Sequence, residues 1–97
     1  MKHAGAEALA ELSELLQKLR NRPGLIERKP GIFYAKGRAF LHFHEDRAGL
    51  FADLRQGSNW LRLSVSGHDN RERLLAAVDR TLDGEETARA ARQRPPP

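Results

Sequence analysis

The sequence predicts a two-layer α+β domain, a four-stranded antiparallel meander with two helices on one face, in the order α-β-β-β-β-α. Three observations carry this. Apolar residues recur at helical spacing near both ends, they alternate with period two between Ile32 and Val65, and the connections between the alternating runs are short. Parallel neighbours would need crossovers of a dozen residues or more, which these connections do not supply.

Residues 5–20 read as an amphipathic helix. Leu9, Leu12, Leu16 and Leu19 fall on one stripe, widened by Ala8 and Leu15. Glu7, Glu11 and Glu14 precede Lys18 and Arg20, the order a helix dipole prefers. Asn21-Arg22-Pro23-Gly24 ends it, and Lys29-Pro30-Gly31 forms a turn after a connector. Strands are predicted at Ile32–Ala35, Ala39–His44, Leu50–Leu54 and Trp60–Val65. Lys36-Gly37 suits a two-residue primed turn, Asp46–Gly49 reads as a polar loop, and Gly57-Ser58 closes the last hairpin. The second helix starts at Asp69, carries Leu74, Leu75, Val78 and Leu82 as its stripe, and meets a C-terminal stop at Gly84. Residues 1–83 thus form one domain. Residues 84–97, ending in Pro95-Pro96-Pro97, read as a polar tail, a frayed helix or a disordered one.

Composition narrows the function classes. The chain has 97 residues, 39% hydrophobic and 31% charged, which describes one globular domain. Its longest apolar run, Leu74–Val78, is far short of a membrane span, and no signal-type apolar stretch follows the N-terminal charge. Zero cysteines exclude disulfides, thiolate zinc sites and a cysteine nucleophile, which fits a cytoplasmic protein. Seventeen cations against 13 anions leave +4, with a pI near 10.1. Six of the cations and one anion fall between Arg20 and Arg38. Nucleic acid is therefore one candidate partner, with Arg22, Arg28, Lys29, Lys36 and Arg38 as phosphate contacts.

Turn lengths set the register, and the register sets what each face carries. Opposite residues sum to 73 across Lys36-Gly37, to 95 across Asp46–Gly49 and to 115 across Gly57-Ser58. Ile32, Tyr34, Leu41, Phe43, Leu50, Ala52, Leu54, Leu61, Leu63 and Val65 then share the core face. The opposite face would carry Phe33, Phe40, His42, His44, Phe51, Asp53, Arg55, Trp60 and Arg62, aromatics interleaved with polar groups. Such a face suits self-association or a partner. It also pairs Asp53 with Arg62 and Arg55 with Trp60, contacts that could serve only the sheet.

The same face holds the one constellation with chemical reach. His42 and His44 stand about 6–7 Å apart on one strand face. Asp53 lies opposite His42, so a divalent metal or His/Asp acid–base set could gather there. The expectation is that Arg62 satisfies Asp53 instead, with no metal, no cofactor and no catalytic residue. No nucleophile elbow or phosphate-binding glycine loop is present.

The segments Gly31–Tyr34, Gly37–Asp46 and Gly49–Arg55 resemble the core of a family of short uncharacterised bacterial domains, over about residues 24–82. The layout is also similar to MmcQ/YjbR-type domains, a resemblance that implies DNA binding but transfers no site residue. The functional expectation is a small bacterial interaction module, non-catalytic, that dimerises or binds a partner through the aromatic, His and Arg face. DNA binding through Arg20–Arg38 is the alternative, and a metal-dependent or His/Asp enzyme on the sheet face is the second.

Overall fold

The computed structural model describes residues 2–93. The expectation for Pro95–Pro97 lies outside them. The order is β1 (Lys2–His3), α1 (Ala6–Glu11), α2 (Ser13–Arg20), β2 (Leu25–Lys29), β3 (Ile32–Ala35), β4 (Arg38–Asp46), β5 (Gly49–Gln56), β6 (Asn59–Ser64) and α3 (His68–Gln93). The class is α+β with an antiparallel sheet, as the period change implies, but the sheet has six strands rather than four. Five run in the order β2-β3-β4-β5-β6, and β1 pairs with β4 beyond the end of β3.

α1 and α2 are one helical run bent at Leu12. The Leu12 amide donates to Ala8 (3.0 Å), and the Leu16 amide donates to Leu12 (2.9 Å). Leu12 itself is fully buried, as are Leu15, Leu16 and Leu19 beside it. α3 begins at His68, one residue before the predicted start. It runs through Gly84 to Gln93, so that glycine does not act as the stop. Among its described side chains, Leu74, Leu75, Ala77 and Val78 are buried. Both helical layers pack on one sheet face, against Leu25, Phe33, Ala35, Phe40, Leu41, Phe43, Ala52, Leu54 and Val65.

The predicted register survives in two hairpins and fails in one. His42 opposes Asp53 and His44 opposes Phe51, while Asp53 opposes Arg62 and Arg55 opposes Trp60. Across the Lys36-Gly37 turn, Ala35 pairs with Arg38 and Tyr34 with Ala39, but Phe33 then pairs with Leu41. Lys36 (φ 54°) and Gly37 (φ 78°) are both left-handed, as a type I′ turn requires, so the turn is the predicted one. A β-bulge in β4 breaks the count two pairs later.

That extra residue inverts β3. Phe33 and Phe40 are 0% and 2% exposed in the core, not on the open face, whereas Ile32 and Tyr34 leave the core for the open face. The physical reason is volume. Two phenylalanines bury more apolar area than isoleucine and tyrosine, and the tyrosine hydroxyl would need a partner inside. Phe33 also meets Phe43 edge-on, with ring centroids 6.4 Å apart.

Candidate functional site

The helix-free face is built by alternation along β3–β6, with β1 added at one end. Going outward from β4, one row across the sheet is Ile32, His42, Asp53, Arg62, and the next is His3, His44, Phe51, Ser64. Tyr34 continues the face on β3, with Ile26 opposite it on β2 and 59% exposed. Of the predicted face residues, His42, His44, Phe51, Asp53, Arg55, Trp60 and Arg62 are there, and Phe33 and Phe40 are not.

Charged groups on this face are mostly paired. Arg62 grips Asp53 with two hydrogen bonds, Nε to Oδ1 at 2.7 Å and Nη2 to Oδ2 at 2.9 Å. Those bonds hold the Asp53 carboxyl below the usual carboxylate value. The Arg55 guanidinium lies 4.4 Å from the Trp60 ring centroid, and its Nε donates to the Ala39 carbonyl at 2.6 Å. Arg28 covers Tyr34 in the same way, at 4.6 Å. Trp60 remains 41% exposed.

Three imidazoles gather at the β1 end. His3 and His44 ring centroids are 5.0 Å apart, His42 and His44 6.1 Å, and His3 and His42 6.2 Å. His42 also leans on Trp60, at 5.0 Å. Burial lowers the His42 pKa, and the neighbouring His44 and His3 lower it further. Burial likewise lowers that of His44, with Asp53 opposing. Burial thus favours the neutral form of both rings. His44 Nε2 is buried and 3.1 Å from Asp53 Oδ2, yet it makes no hydrogen bond, so the contact is off the line a bond needs. Among the described residues, no group of three His, Asp or Glu side chains is placed to hold a metal ion.

His3 was missed by sequence reasoning. A two-residue strand has no period to read, and its position depends on partners forty residues away. Lys2 Nζ meets Glu45 Oε1 at 3.2 Å, Gly5 N donates to Glu45 Oε2 at 3.4 Å, and Ala4 N donates to the Phe43 carbonyl at 3.0 Å. The only available signal was the third histidine itself.

The basic segment is less concentrated than its sequence suggests. Arg22 clamps Asp79 through Nε and Nη2, both at 3.2 Å, and donates to the Lys18 carbonyl. Lys29 pairs with Ile32 at one end of β3, while Lys36 lies in the turn at its other end and Arg38 follows it. Three residue steps along a strand separate those ends by about 10 Å. Arg22, Arg28, Lys29, Lys36 and Arg38 are not brought into one cluster.

Compared with protein-family models, curated proteins and solved structures, the chain matches none.

Proposed function

We propose that this chain is an interaction module that associates through the helix-free face of its sheet, with a second copy as the first candidate partner. The observation that carries the reading is a face of Tyr34, His42, Phe51 and Trp60 on which neither helical layer packs. Large rings that are half-exposed and flanked by paired charges are the composition of association surfaces. A binding role fits better than acid–base chemistry because Asp53, the carboxylate beside both histidines, is clamped by Arg62. That clamp makes it a poor proton acceptor.

Analytical sedimentation from micromolar to sub-millimolar concentration tests this, with wild type beside Trp60→Glu and Phe51→Glu. The expected result is a concentration-dependent dimer that both substitutions dissociate while circular dichroism stays unchanged. Wild type that remains monomeric throughout removes self-association. An association lost steeply with salt only when oligonucleotide is added would point instead to nucleic acid.

A further inference from the structure

We infer that two copies of this chain pair edge to edge through β6, antiparallel and about a two-fold axis at Leu61, so that their sheets become one. The inference rests on the proposed self-association and places its contact at the β6 border of the helix-free face, where Trp60 and Arg62 stand.

The first argument is the contrast between the two outer strands, β2 and β6. A sheet edge offers a row of unpaired amides and carbonyls, and proteins that stay single blunt it with bulges, charges or proline. β2 is blunted in all three ways. Its register shifts between Glu27 and Lys29, it carries the charged run Glu27-Arg28-Lys29, and Pro30 follows directly. β6 has no bulge and no proline. Its pairing with β5 runs unbroken from Asn59 to Ser64, and its one charged side chain, Arg62, is bound by Asp53. Among the described residues, no strand lies beyond it.

The second argument is what that edge exposes. Trp60 is 41% exposed and Leu61 39%, and they stand on opposite faces of the sheet. Trp60 opposes Arg55 on the helix-free face, and Leu61 opposes the buried Leu54 on the helix side. A partner lying on either face would cover only one of them. A strand laid alongside β6 covers both.

The backbone sets the register, and the register names a second copy as the occupant. The Val65 amide donates to the Leu50 carbonyl at 2.9 Å. By alternation Leu61 and Leu63 also turn their backbone groups toward β5, while Trp60, Arg62 and Ser64 turn theirs outward. A two-fold axis at Leu61 sets Trp60 against the second copy's Arg62, and Arg62 against its Trp60. Both are pairs of outward-turned residues, so each exchanges two hydrogen bonds, and each guanidinium gains a ring beside it. The two Leu61 side chains meet on the axis. Moving the axis to Arg62 would oppose two like charges, and moving it to Trp60 would set Leu61 against Asn59. The contact uses one patch twice and so closes at two copies, and the blunted β2 gives no second edge for growth.

The test exploits the absence of cysteine, since one introduced cysteine can form a disulfide only between copies. Residues facing across the axis as a non-hydrogen-bonded pair lie about 4.5 Å apart at Cα, within disulfide reach. Leu61→Cys is therefore expected to become a covalent dimer under mild oxidation at sub-millimolar concentration. Leu63→Cys, whose two copies stand about 13 Å apart along the strands, is expected not to. Ile26→Cys, exposed on the other outer strand, is expected not to either. In sedimentation, Leu61→Lys is expected to raise the dimerisation midpoint by about tenfold or more, with circular dichroism unchanged. Cross-linking of Leu63→Cys or Ile26→Cys as fast as that of Leu61→Cys overturns the inference, as does growth beyond two copies. If Trp60→Glu and Phe51→Glu dissociate the dimer while Leu61→Lys does not, association through the face stands and edge pairing falls. Wild type that stays monomeric, with Leu61→Cys left uncross-linked, overturns both.

Discussion

Single residues decide which way β3 faces, and the decision can be measured. Phe33 is sealed in the core, while Tyr34 beside it lies on the open face under Arg28. Phe33→Ala is expected to cost about 3–5 kcal/mol in urea unfolding, and Tyr34→Ala about 1 kcal/mol or less. The uninterrupted alternation would give the reverse order, so equal or inverted losses would contradict the bulge. Glu27 offers a second measurement at this scale. Its carboxylate takes two hydrogen bonds from Arg20 (2.6 and 3.2 Å) and one from the Gly31 amide (3.0 Å), and the Arg20 bonds above all hold its pKa below the ordinary value. As pH falls, the unfolded chain takes up this proton first. The contribution is complete above the ordinary glutamate value and disappears as pH drops through the folded-state value. Glu27→Gln is therefore expected to destabilise by on the order of 1 kcal/mol at neutral pH. Its unfolding midpoint should converge with that of wild type as pH falls below the ordinary glutamate range. A gap that stays constant with pH would assign the loss to something other than the charge.

At the scale of elements, legibility followed the length over which a pattern is written. The helix over residues 5–20 has four stripe leucines, and β4–β6 have long alternating runs joined by turns of fixed length. Those elements, and the pairings His42–Asp53, Asp53–Arg62 and Arg55–Trp60, were readable from residue spacing alone. β1 was not, because two residues cannot show a period. β2 was not, because Leu25-Ile26-Glu27-Arg28-Lys29 buries only Leu25 and looks like a charged connector. The bulge was the most consequential omission. Alternation alone ranks the faces of Ile32-Phe33-Tyr34-Ala35 as equals, since both carry a large ring. What separates them is the register shift between Phe33 and Tyr34, which puts Phe33 in the core. Gly84 failed as a stop for a related reason: a glycine at ordinary helical φ, with open space around its α-carbon, costs the helix about 1 kcal/mol without ending it.

At the scale of the whole molecule, the helical layers leave one face of the sheet uncovered, and the proposed association uses that face. The architecture also has a middle. β4 is flanked by β5 on one side and, on the other, by β3 and β1 laid end to end. At the junction, the Phe43 amide donates to the Gly31 carbonyl at 3.1 Å, and its own carbonyl accepts from Ala4. β2 and β6 are the outer strands, and β6 exposes Trp60 and Leu61 on opposite faces. This placement dictates an order of opening. Amide hydrogen exchange should be slowest at Leu41, Phe43, Ala52 and Leu54, whose deuterium uptake waits for global unfolding. The amides of Lys2 and His3 should exchange by fraying of β1 alone, many times sooner. Uptake at β1 or along β6 as slow as at Phe43 would mean that the sheet opens as a single body. The strand junction at Phe43 thus becomes a clock: the half of β4 behind β3 keeps the time of the whole fold, and the half behind β1 keeps a faster one.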